Sequence, residues 1–174
     1  MKHVLRPILI LAATLVSPLA QAHDNGLSSG LLAGLVHPLT GLDHLAALIL
    51  AGFLVGRLKR GEWLALGALI GALGAGAMGG ALLGTQAGVE NLILLSLPVL
   101  LGFQWLRGRV PVRLAVAVTG LFMLAHGWAH GVEVQGNTLA FFIGFLLTST
   151  VIAGVGARVC RYLSMPGPHF SPAS

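Results

Sequence analysis

Beyond residue 22 the chain is a succession of apolar runs, each close to the roughly 20 helical residues that cross the hydrocarbon of a bilayer. Five are legible: Leu31–Gly56, Trp63–Leu83, Leu92–Leu106, Val112–His130 and Leu139–Val159. They predict an all-α integral membrane protein, a bundle of about five transmembrane helices. The first run is long for one span and becomes two helices, six in all, if it folds as a hairpin; the third is short. Composition removes the alternative of a soluble domain. Charged residues make up 9% of the chain and apolar residues 56%, whereas an ordinary soluble domain is about 25% charged. A soluble protein so poor in charge would aggregate. The single cysteine, Cys160, rules out an intrachain disulfide and a cysteine-rich metal site; it reads as a small apolar residue near a helix end.

A net charge of +5 raises nucleic acid as a partner, but the basic residues stand at the ends of apolar runs instead of forming one face. The eight Lys and Arg residues after position 22 are Arg57, Lys59, Arg60, Arg107, Arg109, Arg113, Arg158 and Arg161. All fall in alternate connections and the C-terminal flank, while Gly84–Asn91 and Gly131–Thr138 carry none. The positive-inside rule then predicts the orientation of a multi-pass membrane protein, surrounded by lipid and with no nucleic-acid partner. Its mature N-terminus lies outside and its C-terminus in the cytoplasm.

Residues 1–22 carry the three parts of a secretory signal: basic Lys2 and Arg6, an apolar core Ile8–Val16, and small residues in Ala20-Gln21-Ala22. Cleavage after Ala22 is expected, the alternative being an uncleaved first helix. Cleavage followed by five spans requires the same orientation as the basic residues do. Three regions follow: a signal peptide at 1–22, a transmembrane domain at 23–163, and a disordered cytoplasmic tail at 164–174. That tail holds three prolines and His169, a solvated bystander. The second run carries Gly67, Gly71, Gly74, Gly76, Gly79, Gly80 and Gly84. Glycine so dense weakens a helix in water but lets backbones approach closely in lipid, so it reads as packing glue before a glycine-lined conduit.

Two polar clusters interrupt the apolar runs. The first, Val36-His-Pro-Leu-Thr-Gly-Leu-Asp-His-Leu45, holds His37, Asp43 and His44; the second, His126-Gly-Trp-Ala-His130-Gly-Val-Glu133, holds His126, His130 and Glu133. Ionisable groups in a membrane-length segment cost about 2.5–3.5 kcal/mol each on insertion scales and mark pathways or sites. His126 and His130 are four apart and Glu133 three further, one stripe on a helix, and such a histidine pair can chelate one cation. His37 and His44 are two helical turns apart, about 10 Å, too far for one ion with ligands at about 2 Å. Either the helix breaks at Pro38–Gly41 or the two histidines serve successive sites. Pro38 suits a helix start and would clash inside a longer helix, so a break near His37 is expected. Asp43 either ligates or orients an imidazole. Given the predicted topology, both clusters lie in the outer half of the bundle, at matching depth. They are expected to meet and handle a divalent metal ion. His23, exposed by cleavage with a free α-amine and Asp24 beside it, is a further candidate ligand at the mouth.

In these residues the chain resembles the HupE/UreJ family, membrane accessory proteins of hydrogenase and urease. The resemblance lies in His37-Pro-x-x-Gly41-x-Asp43-His44 and His126-Gly127-x-Ala129-His130-Gly131-x-Glu133, together with a cleaved signal before a mature histidine. It covers essentially the whole mature chain and its paired motifs are specific. The resemblance implies secondary transport of Ni²⁺, with Co²⁺ in some relatives, as cargo for nickel-enzyme assembly, with no organic cofactor and no enzymatic activity. The family's motif histidines, aspartate and glutamate carry over onto the residues just named. Ala125 departs from the pattern, which has an aromatic before the His-Gly pair. The residues by themselves suit Ni²⁺, Co²⁺, Zn²⁺ or Cu²⁺ equally. Without an ATP-binding motif, movement follows a gradient or an exchange with protons, which imidazole chemistry near neutral pH allows. The rival readings are an intramembrane metalloenzyme and a haem-binding cytochrome with paired axial histidines; a purely structural partner is a third. A metalloprotease would need Glu where Gly127 stands.

Overall fold

The computed structural model describes residues 30–85, 88–134 and 136–164. They form six helices: α1 (Leu31–Thr40), α2 (Leu42–Gly56), α3 (Glu62–Leu83), α4 (Val89–Trp105), α5 (Val112–Glu133) and α6 (Thr138–Ser164). The expected signal peptide at 1–22, His23 and, of the expected tail, residues 165–174 lie outside the described residues, while Ser164 ends the last helix. Helices α3, α5 and α6 are each long and apolar enough to cross a membrane alone, and α1 and α2 qualify together as a pair bent by 82°. At 17 residues, α4 stands at the short limit for a span. The five apolar runs thus become three unbroken spans, one broken pair and one short helix. The sixth helix arises from a break inside the first run instead of a hairpin of two full spans.

That break does not fall where Pro38 alone suggests. Pro38 sits inside the last turn of α1, and the chain turns at Gly41, whose backbone is extended (φ −91°, ψ 108°). A proline ring clashes with the preceding turn and lacks an N–H to bond back to it, but it does not stop the turn that follows. Thr40 then closes the helix by donating its hydroxyl to the His37 carbonyl at 2.9 Å. The new helix begins with Leu45 N–H donating to the Gly41 carbonyl at 2.9 Å.

Glycine positions decide how the helices meet. A Cβ added to Gly76 or Gly80 of α3 would stand 2.0 and 2.1 Å from the carbonyl oxygens of Leu124 and Trp128. One added to Gly127 or Gly131 of α5 would stand 1.9 and 2.0 Å from those of Leu73 and Ala77. The contact is reciprocal, a small-xxx-small stripe on each helix at backbone distance. Packing glue is therefore the right reading for Gly76 and Gly80, whereas Gly67, Gly71 and Gly84 have nothing opposite them within 4 Å. Similar pairs seat the broken helix on α6: Gly34 against the Phe141 carbonyl, Gly144 against that of Leu31, and Gly52 against that of Ala153.

The basic residues occupy the α2–α3 and α4–α5 connections and their flanks, together with the last turns of α6. Arg57 donates to the Phe103 carbonyl at 2.8 Å, Arg161 to that of Leu58 at 3.1 Å, and Arg161 also pairs with Glu62. Arg158 lies over the Trp63 ring, 5.1 Å from its centroid. These contacts tie the end of α2 to the end of α4, and the end of α6 to the start of α3 and the connection before it. The C-terminal end of α5, with His130 and Glu133, lies at the opposite end of that helix from Arg113.

Candidate functional site

The glycine stripe on α5 sets the direction in which its histidines point. With Gly127 and Gly131 locked against α3, the residues just before them, His126 and His130, are rotated by about 100° toward the broken helix. Both imidazoles are buried, 2% and 1% exposed. The 82° bend brings His37, on α1, and His44, on α2, to His130 from different directions. The ring centroids of His37 and His130 are 4.4 Å apart, those of His44 and His130 4.1 Å, and those of His44 and His126 5.1 Å. All three contacts are edge-on. An unbroken helix would have separated His37 from His44 by two turns, and the break at Gly41 removes that separation.

Two overlapping groups result. In the first, His37, His130 and Glu133 each offer a ligand atom within 4.8 Å of the others, and His37 Nε2 lies 2.6 Å from His130 Nδ1. One hydrogen is shared between those nitrogens. Glu133 is the exposed member and His130 the buried one. The second group lines a cavity of about 10 Å³ bounded by Pro38, His44, Leu48, Leu73, Met123, His126, His130, Phe145 and Ser149. That is room for about one water or one ion, an ion-sized rather than cofactor-sized space.

The tautomer of His126 follows from its partner. Its Nδ1 lies 2.9 Å from the Phe122 carbonyl, which can only accept, so Nδ1 carries the hydrogen and Nε2 keeps its lone pair. That Nε2 is buried without a partner, as is Nδ1 of His44. A lone pair held in place by a backbone bond on the other ring nitrogen is the usual preparation of a metal-binding imidazole. Asp43 accepts from the His44 backbone N–H at 2.9 Å, and its Oδ1 stands 3.6 Å from His44 Nδ1. Asp43 thus caps the His44 backbone beside the ring, in the first turn of α2, and makes no hydrogen bond to the imidazole. Ala125 is buried on α5. Met123 and Ser149 also line the cavity, outside both polar clusters. A methionine and a serine in apolar runs are ordinary core residues by composition, and nothing in the sequence distinguishes these two.

Fold and site together define an all-α integral membrane protein with a histidine-lined, ion-sized space among its helices. The chain belongs to the HupE/UreJ family: the family profile described as HupE / UreJ protein matches residues 11–171. Protein HupE of Rhizobium leguminosarum bv. viciae is similar, 30% identical over 161 residues, which is 87% of this chain and 82% of that relative. No solved structure gives a significant match.

Proposed function

We propose that this protein is a secondary transporter carrying a divalent transition metal, Ni²⁺ in particular, across the bacterial inner membrane into the cytoplasm for hydrogenase or urease maturation. The observation that carries the reading is the unpartnered Nε2 of buried His126, fixed by its Nδ1 bond to Phe122. His126 lines an ion-sized cavity together with His44 and His130. An unpaired buried polar atom costs about 1–3 kcal/mol, and a cation in transit offsets that cost.

In this reading Glu133, exposed at the end of α5, meets the ion first, and His37 and His130 strip part of its water. One hydrogen lies between His37 Nε2 and His130 Nδ1, so for both atoms to ligate the donor ring must change tautomer and carry its hydrogen on its other nitrogen. His130 touches both groups and passes the ion inward to His44 and His126, while Asp43 holds the His44 backbone N–H. His23, once freed by cleavage, would capture the ion outside. Entry from the end opposite the basic residues agrees with the positive-inside rule. Imidazole with carboxylate suits Ni²⁺ and Co²⁺, and family membership favours nickel.

The test is uptake by the purified full chain in liposomes, with Ni²⁺, Co²⁺ and Zn²⁺ compared at equal concentration. Saturable Ni²⁺ uptake that is lost in His126→Ala is expected. No uptake of any of the three ions by wild type would overturn the proposal.

A further inference from the structure

The described helices bury three hydroxyls completely: Ser96, Thr119 and Ser149. Two of them behave as hydroxyls in apolar helices do, bonding back to the preceding turn. Ser96 donates to the Ile93 carbonyl at 2.6 Å and Thr119 to the Ala115 carbonyl at 2.7 Å. Thr150, the next residue along α6 from Ser149, donates to the Leu146 carbonyl at 2.6 Å. Ser149 has no partner at all, although a back-bond to its own preceding turn is the ordinary choice. It lines the same cavity as His44, His126 and His130. Three side chains that each hold an unsatisfied buried atom therefore line one ion-sized space: His126 with its Nε2, His44 with its Nδ1 and Ser149 with its Oγ. They come from three different helices, α5, α2 and α6.

We propose that Ser149 supplies an oxygen donor to the inner ion position, so that a divalent transition metal passing His126 is held by imidazole nitrogens and the Ser149 hydroxyl together. This rests on the transport reading above and adds a residue and a helix to its site. A neutral hydroxyl is a weak, hard donor, suited to holding an ion long enough to move it on. It brings no charge into the membrane and need lose no proton to bind. Its placement also makes α6 part of the ion path, through the helix that seats both halves of the broken span. Met123 on α5 lines the same cavity. Changing the oxygen to sulfur there would turn a mixed nitrogen and oxygen site toward softer ions.

The experiment uses the purified full chain in liposomes, with uptake of Ni²⁺, Co²⁺ and Zn²⁺ measured over a range of concentrations for wild type, Ser149→Ala and Ser149→Cys. Ser149→Ala removes an unpaired buried hydroxyl, so its thermal unfolding is expected at or slightly above that of wild type. Its half-saturating Ni²⁺ concentration is expected to rise at least threefold. Ser149→Cys is expected to keep uptake and to raise the Zn²⁺ to Ni²⁺ uptake ratio at least threefold, a change that packing alone does not produce. Wild-type uptake with both variants unchanged in affinity and in ion ratio overturns the role of Ser149 and leaves the transport reading standing. Absence of uptake by wild type overturns the transport reading and this inference with it.

Discussion

Replacing Gly127 with Ala adds one methyl group to a chain that already has many, yet the geometry makes it a severe change. The new Cβ would stand 1.9 Å from the Leu73 carbonyl oxygen, where real Cβ atoms essentially never come within 3.0 Å. The obstacle is backbone, so no side chain can swing away. Helices α3 and α5 must part by about 1.1 Å, the difference between those two distances. A gap of 0.5–1 Å already forfeits a quarter to a half of each dispersion contact along the seam, and overpacking of this kind costs about 1–3 kcal/mol. The displacement is also delivered to the adjacent His126, whose lone pair has to meet an ion with a tolerance of roughly 0.5 Å. Gly127→Ala is therefore expected to lower the unfolding midpoint in detergent and to cut metal uptake by about tenfold or more. Gly67→Ala and Gly71→Ala serve as controls, since nothing lies within 4 Å of either added Cβ. In those positions Ala should be neutral, or stabilising by up to about 1 kcal/mol through helix propensity. Gly127→Ala matching wild type in both stability and uptake would refute the reasoning from backbone contact.

Three further outcomes are expected. Asp43→Asn keeps an oxygen for the His44 N–H but removes the charge 3.6 Å from the ring, and should weaken uptake affinity about tenfold with little change in stability; unaltered affinity would show that the carboxylate does not tune His44. Phosphatase fused at Asn137 should be active and at Cys160 inactive, because all eight basic residues after position 22 lie in the α2–α3 and α4–α5 regions and the C-terminal flank; the reverse pattern would invert the topology. Mass spectrometry of the purified mature chain should find His23 first, and His23→Ala should lower uptake only at limiting metal; a terminus other than His23 would leave no role for its amine.

Much of this was legible in the sequence because lipid makes polar residues informative. The fold class followed from the apolar runs, and the nearness of His130 to Glu133 from helical spacing, whereas His126 joins the other group. The position of the helix break was less so. Pro38 marked the region, but Gly41 makes the turn, because a proline penalises the turn before it and leaves the next free. His37 and His44 looked too distant for one ion along a straight helix, and only the 82° bend gives both access to His130. The glycines of α3 looked equivalent in sequence, yet Gly76 and Gly80 meet α5 while Gly67 and Gly71 meet nothing. Spacing does not reveal which face a neighbour covers. Ser149 was hidden for a related reason: its hydroxyl matters through the bond it does not make, and a bond between residues is not written in composition.

The central claim is that the imidazoles gathered around His130 hold the cargo ion inside the bundle. X-ray absorption at the nickel edge, on the purified full chain loaded with one equivalent of Ni²⁺, reads this directly. The account predicts at least two imidazole rings in the coordination shell of wild type, and fewer in His130→Ala. A shell of oxygen alone, or one that His130→Ala leaves unchanged, would contradict it.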